Sequence, residues 1–266
     1  MVSGKKVLIP LASPANKQGR IVGDNLCGKH RAYKGSQGTS IMKFFDLTVA
    51  VTGEKEESLR SQGRLYKKIF TVSASHAGYY PGGSQMIIKT LFDPENGRIL
   101  GAQIVGKDGV DKRIDLLANA VRFGQTCYEL QEEELSYAPP FSSAKDPVNM
   151  AGYVIENVLE GRMNPYYIED VENIPKDAIC VDVRRKDEYE SGHIPGYKNI
   201  PLDELRERMG EIDRSRKIYL TCQIGLRGYL AQCILAQNGI ESKNLSGGYT
   251  LWHEMDQDRG AKERMQ

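Results

Sequence analysis

What the chain lacks narrows its role before any motif is considered. No apolar run approaches the roughly eighteen residues that a membrane-crossing helix needs. The opening stretch Met1 to Pro10 holds too short an apolar core for a secretory signal. Both absences lead to the expectation of a soluble, cytoplasmic protein with no membrane partner. The five cysteines, Cys27, Cys127, Cys180, Cys222 and Cys233, form no paired framework, which fits a reducing compartment, and no metal-ligand set is expected. An excess of one charge is missing too. With 36 basic and 35 acidic residues the net charge is +1, so no strong field argues for a nucleic-acid partner. Finally, no Gly-x-Gly-x-x-Gly follows any candidate strand, so the turn that cradles a dinucleotide pyrophosphate is absent from this stretch of chain.

What is present centres on Thr221-Cys222-Gln223-Ile224-Gly225-Leu226-Arg227-Gly228, between a short apolar strand (217–220) and a helical pattern. A thiol where a strand turns into a helix faces inward-pointing backbone N–H groups, which favour a thiolate and any anion it attacks. Gly225 and Gly228 permit unusual backbone angles, and Arg227 closes the loop at the helix mouth. The alternative is a buried structural cysteine, the commoner fate of a free thiol.

A chain of 266 residues is long enough for two domains. Residues from 164 onward carry 15 basic and 18 acidic side chains, leaving 21 and 17 before them, a modest asymmetry consistent with that division. In the first part a strand is expected over 5–9. A helix follows over 17–26, with Ser13 or Asn16 as its cap. Strands are then expected over 40–51, 65–73, 86–92 and 99–105, the last two joined at Asp93-Pro94-Glu95-Asn96-Gly97. The spacing of Ile114, Leu117 and Val121 is helical. Asp146 is placed to cap a further helix bearing Val148, Ala151, Ile155 and Leu159, ended by Gly161. Beyond a linker at 164–168, strands over 178–183, 197–200, 217–220 and 242–245 alternate with helical stretches over 186–191, 202–209 and 226–238. That alternation predicts a parallel-sheet α/β domain whose site lies at the carboxyl ends of its strands.

Five ordered motifs in this second part carry a family resemblance: Asp182-Val183-Arg184, Ser191-Gly192-His193-Ile194-Pro195-Gly196, Asn199-Ile200-Pro201, the loop from Cys222 to Arg227, and Gly247-Gly248-Tyr249-Thr250-Leu251-Trp252. Together they resemble a rhodanese homology domain over 164–266. The resemblance implies that Cys222 accepts a sulfane sulfur as a persulfide and passes it to a thiophilic acceptor. Arg227 is then the loop-closing cation, Gln223, Ile224, Gly225 and Leu226 form the substrate loop, and Arg184 lines its entrance. Six residues from Cys222 to Arg227 is the length found in the sulfurtransferases of the family. Related phosphatases use one residue more, with a histidine where Thr221 stands. His193 and Asp182 are read as structural, Cys180, Cys233 and Trp252 as packing residues.

The first part is similar to the pyridine nucleotide-disulfide oxidoreductases. Residues 1–29, with Ile9-Pro10-Leu11-Ala12-Ser13-Pro14-Ala15-Asn16-Lys17, resemble the end of their flavin-binding region, and 30–163 resembles their α+β dimerisation domain. The second resemblance rests on Tyr33-Lys34-Gly35-Ser36-Gln37-Gly38-Thr39-Ser40, on Ser75-His76-Ala77-Gly78-Tyr79-Tyr80-Pro81, and on Tyr137-Ala138-Pro139-Pro140-Phe141. Followed by a rhodanese domain, these stretches point to the branch of coenzyme A-disulfide reductases and NADH oxidases in rhodanese-fused form.

That resemblance implies the carboxyl-terminal half of a homodimeric oxidoreductase using FAD and NAD(P)H to reduce a disulfide, persulfide or polysulfide of coenzyme A or another small thiol. Ala15, Asn16 and Lys17 would approach the flavin ring, although this half alone is expected to bind neither cofactor. Tyr79 or Tyr80, with Tyr137, would reach the partner subunit's thiol site and donate a hydrogen bond to a departing thiolate, or simply pack at the dimer interface. Two other classes stay open: a dimerising, regulatory module with a silent cysteine, and an arsenate- or phosphate-type anion enzyme.

Overall fold

The computed structural model of the chain describes residues 4, 6 and 8–265, with 258–265 described by backbone alone. These fall into two units: residues up to Lys68 with Ser73–Gly152, and Ile69–Val72 with the residues from Tyr153 onward.

The first unit opens with helix α1 (Ala12–Leu26). Neither Ser13 nor Asn16 caps it, because the helix starts earlier than expected. Its cap position is Leu11, which supplies no side-chain acceptor, and Pro14 lies inside the first turn, where a missing N–H costs nothing. The strand expected over 5–9 lies partly outside the described residues, and residues 8 and 9 are not in a strand.

The single strand expected over 40–51 is instead a hairpin, β1 (Ser40–Phe44) and β2 (Leu47–Gly53), with Phe44 opposite Leu47. Phe45 makes the turn at φ 52°, a left-handed angle that no glycine announces in the sequence. Helix α2 (Glu56–Ser61), strands β3 (Lys67–Ala74), β4 (Gln85–Phe92) and β5 (Ile99–Gly106), and helix α3 (Val110–Phe123) follow. The sheet runs β1-β2-β5-β4-β3, and its β1–β2, β2–β5 and β4–β5 pairs are antiparallel. Buried Ile88, Ile104, Ile114 and Leu117 lie in the core of this unit. Helix α4 (Cys127–Glu132) begins with a capping box in which Thr126 and Glu129 satisfy each other's backbone. Helix α5 (Pro147–Leu159) starts where Asp146 Oδ1 accepts from the Val148 N–H at 3.0 Å.

The second unit has the α/β character expected. Its elements are β6 (Pro165–Tyr166), α6 (Ile168–Val171), β7 (Ile179–Asp182), α7 (Lys186–Glu190), β8 (Lys198–Asn199), β9 (Ile218–Thr221), α8 (Leu226–Gln237), β10 (Ser242–Leu245) and α9 (Gly248–Met265). The helix expected over 202–209 is replaced by two short 3-10 turns, Leu202–Glu204 and Met209–Glu211. Here Arg208 bonds both Glu204 and Glu211, and Leu205 and Ile212 enter the core.

The sheet order is β6-β10-β9-β7-β8, and its strand pairs are parallel. β9 is therefore the central strand, buried at all four positions, as a strand covered on both faces must be. Val181, Leu220, Ala231 and Leu235, with 0% exposure, lie in one core cluster with Cys222. The residue that leaves the carboxyl end of β9 is thus fixed by the best-packed part of the domain.

Candidate functional site

Cys222 follows β9 directly and is itself fully buried. Its sulfur accepts a hydrogen bond from the Gly225 N–H at 3.1 Å. Gly225 has φ 99°, an angle that L side chains rarely adopt, and this lets the loop turn back over the sulfur.

The direction of the remaining N–H groups follows from where the loop carbonyls go. The first turn of α9 takes two of them: the Tyr249 N–H donates to Cys222 O at 2.8 Å and the Thr250 N–H to Gln223 O at 2.9 Å. Asn244 Nδ2 donates to Gly225 O at 2.9 Å. In a trans peptide the C=O and the following N–H point opposite ways. Anchoring these three carbonyls therefore turns the N–H groups of Gln223, Ile224 and Leu226 away from α9 and Asn244. Among the described residues no acceptor takes those three, nor the N–H groups of Arg227 and Gly228 in the first turn of α8. The result is a thiol that already accepts from one amide, that of Gly225, at the positive end of a helix dipole and in a loop whose other amides have no acceptor, an environment suited to negative charge developing on sulfur.

Two glycines make this closeness possible. A Cβ on Gly248 would stand 2.5 Å from Cys222 O, and one on Gly228 would stand 2.0 Å from Asn244 Oδ1.

Arg227 does not stand alone at the helix mouth. Its Nη1 and Nη2 donate to Glu188 Oε2 and Oε1 at 2.6 and 2.7 Å, a parallel fork that fixes the guanidinium plane. The arginine beside it holds the Glu188 carboxyl down at about 2, and Glu188 in turn raises Arg227. Glu188 is absent from the expected site. Its sequence signal, an acidic residue in the first turn of α7, looks like ordinary helix capping, since its carboxylate also accepts from the Arg185 N–H.

Arg184 is 1% exposed and so reaches the loop from within the domain instead of lining an entrance. Its Nε and Nη2 bind Asp182 at 2.8–3.1 Å, its Nη2 also donates to Gly192 O, and its guanidinium lies 4.0 Å over the Tyr249 ring. Nη1 donates to Gln223 Oε1 at 3.1 Å, and Gln223 Nε2 donates to Thr250 Oγ1 at 2.9 Å. Gln223 is thereby clamped at both ends. Ile224 is half-buried and Leu226 exposed on the same loop. Asp182 thus serves Arg184, while His193 stacks on Tyr189 at 3.9 Å with Nδ1 3.1 Å from Tyr189 O. Neither has a hydrogen bond to the Cys222 sulfur among the described residues. Trp252 stacks on Tyr249, Cys233 is half-buried on α8, and burial pushes the Cys180 thiol up.

In the first unit, Tyr79 and Tyr137 come together, with phenol oxygens 2.9 Å apart, whereas Tyr80 packs edge-on against His76. The hydrogen bond to Tyr79 raises the Tyr137 hydroxyl. Their two loops are tied by the Ala77 N–H donating to Ser142 O at 2.9 Å. Fully buried Arg113 binds Ser75 O, Ser142 Oγ and Asp146 Oδ2 at 2.9–3.0 Å. Ala15, Asn16 and Lys17 are exposed on α1. Asn16 Nδ2 is committed to Ala12 O, and a Cβ on Gly19 or Gly23 would meet nothing within 4 Å.

Residues 39–147 match the pyridine nucleotide-disulphide oxidoreductase dimerisation domain, and residues 168–255 match the rhodanese-like domain. Among curated proteins, the coenzyme A disulfide reductase of Staphylococcus haemolyticus is 44% identical over 146 residues, 54% of this chain and 33% of that protein. Among solved structures, reduced Bacillus anthracis CoADR-RHD superposes with a TM-score of 0.91 at 45% identity, over 94% of this chain and 45% of that one. An NAD-dependent persulfide reductase from A. fulgidus superposes with a TM-score of 0.87 at 36% identity, over 94% of this chain and 46% of that one. The chain thus spans less than half the length of these relatives.

Proposed function

Because this chain is a pyridine nucleotide-disulphide oxidoreductase dimerisation domain joined to a rhodanese-like domain, we propose that it is the carboxyl-terminal half of a rhodanese-fused, FAD-dependent reductase of coenzyme A disulfide, persulfide or polysulfide. Within it, Cys222 carries sulfane sulfur. The observation that carries this reading is the Gly225 N–H aimed at the Cys222 sulfur, in a loop whose carbonyls are held by α9 and Asn244.

The chemistry balances with no redox partner. The Cys222 thiolate attacks the outer sulfur of a sulfane donor, and the Sγ–S bond forms. The donor's S–S bond breaks, and the donor departs with that electron pair. An acceptor thiolate or cyanide then attacks the outer sulfur of the persulfide and releases the Cys222 thiolate. The loop N–H groups hold the charge on the transferred sulfur. Arg184 and Thr250 position Gln223, and Glu188 positions Arg227.

The domain boundaries proposed are 1–29, 30–163 and 164–266. When bound to the intact enzyme, FAD and NAD(P)H supply electrons for disulfide or persulfide reduction, with Ala15, Asn16 and Lys17 edging the flavin only once the rest of that fold surrounds them. The paired phenols of Tyr79 and Tyr137 act at the thiol site of a second copy, where a raised phenol remains a proton donor. Homodimerisation is supported by the exposed apolar side chains of Ile41, Met42, Phe44 and Phe45. A cytoplasmic location is supported by five free thiols. Among the described residues no helix is long and apolar enough to cross a membrane.

Turnover from thiosulfate or glutathione persulfide to cyanide, measured on the chain and on Cys222→Ser, tests the sulfur-transfer reading. Turnover lost in the variant is the expected result. Equal turnover in both, or none in either, contradicts it.

A further inference from the structure

The charges around the sulfur cancel in pairs. Arg227, the cation of the loop Cys222–Arg227, has both terminal nitrogens taken by Glu188 at 2.6 and 2.7 Å. Arg184, the other arginine bonded to the loop, is matched by Asp182 at 2.8 Å with both side chains at most 1% exposed. Arg185 approaches Glu188 at 3.7 Å, but it is 69% exposed and screened by solvent. The other loop side chains, Gln223, Ile224, Gly225 and Leu226, carry no charge. What remains for a substrate is the Gly225 N–H, the loop amides that have no acceptor, and one helix N-terminus, equivalent to roughly half an elementary charge.

Such a cradle is matched to a neutral or singly charged sulfur species. A dianion entering it would meet a guanidinium whose charge Glu188 already balances, and its second charge would find no unpaired cation among the loop side chains. Resting on the sulfur-transfer reading, we propose that Glu188 is a specificity-determining residue. By occupying Arg227 it sets the site to take sulfur from organic persulfides in preference to dianionic donors such as thiosulfate, and to reject phosphate and arsenate. The step is then Cys222-S⁻ attacking the terminal sulfur of R–S–SH. The Sγ–S bond forms, the proton stays on the transferred sulfur, and R–S⁻ leaves with the electron pair of the broken S–S bond. Leaving as a thiolate, it needs no inorganic oxyanion site.

The test compares kcat/KM for cysteamine persulfide, which carries no net negative charge, and for thiosulfate, both with cyanide as acceptor, in the chain and in Glu188→Gln. The unsubstituted chain should prefer the persulfide, and the variant should shift the ratio at least tenfold toward thiosulfate, with tighter inhibition by arsenate. A transfer-competent chain whose ratio is unchanged in Glu188→Gln overturns the proposal alone. No transfer from either donor overturns the parent reading and this one with it. A second measurement needs no variant and so does not depend on how the substitution folds. Added KCl should raise the thiosulfate rate of the unsubstituted chain relative to the persulfide rate, since salt screens the repulsion. A thiosulfate rate that falls with salt, or tracks the persulfide rate, overturns the proposal.

Discussion

The amide N–H of Tyr249 donates to the carbonyl oxygen of Cys222 at 2.8 Å, so the first turn of α9 sets the direction in which the loop's own amides point. Gly248 makes this contact possible. It lies at φ 64°, and a Cβ there would stand 2.5 Å from Cys222 O and 2.7 Å from Gln223 O. Gly248→Ala should therefore push α9 off the loop. The expected loss in sulfur transfer is more than tenfold. Chemical denaturation should show a loss of about 1–3 kcal/mol, typical of a strained left-handed position.

Acid should release Arg227. The Glu188 carboxyl is held at about 2 against an ordinary value of 4.5, first by its bond to Arg227. A carboxylate lowered on folding contributes stability that is fully present above 4.5 and lost as pH falls toward 2. Following denaturation midpoints from pH 5 to pH 2 should show a declining segment in this window. In Glu188→Gln that segment should be shallower.

The loops bearing Tyr79 and Tyr137 depend on a buried ion pair. Arg113 and Asp146 are 1% and 2% exposed and 2.9 Å apart. Arg113→Met leaves buried Asp146 with only the longer, partly exposed pairing to Lys112 at 3.9 Å, so a loss toward the lower end of about 3–5 kcal/mol is expected in urea denaturation. Arg113→Met combined with Asp146→Leu should recover part of it, because no uncompensated charge then remains.

Removing one phenol should change the other. Tyr137 is raised chiefly by its hydrogen bond to Tyr79, so Tyr79→Phe should return it toward 10.0. Ultraviolet titration of tyrosinate in the two proteins reads this directly. Tyr80→Phe serves as the control, since Tyr80 packs on His76 instead.

The sequence makes some of this legible and hides the rest for physical reasons. Strand-to-helix alternation with a cysteine at a strand end leads to a parallel sheet and a site at the end of β9, because apolar runs and turn residues are local signals. The presence of Arg227 at the start of α8 is also readable, since it lies five residues from Cys222. Glu188 is not, because its pairing with Arg227 crosses 39 residues and a glutamate in a first helical turn already has a local explanation. The hairpin at Phe45 escapes notice because its left-handed residue is neither glycine nor asparagine. The stretch 202–209 has helical composition, but its charges and apolar residues serve two 3-10 turns and a core contact. Tertiary packing overrides propensity there. The position of Arg184 is concealed in the same way, since a motif shows that it is near the loop but not which side it reaches from.

Intact-mass measurement after incubation with a sulfane donor tests the central claim most directly. The chain should gain the mass of one sulfur atom, lose it on addition of cyanide, and show no such gain as Cys222→Ser. Sulfur that persists on Cys222→Ser at Cys27, Cys127, Cys180 or Cys233, or a chain that gains none at all, would contradict the assignment of Cys222 as the sulfur carrier.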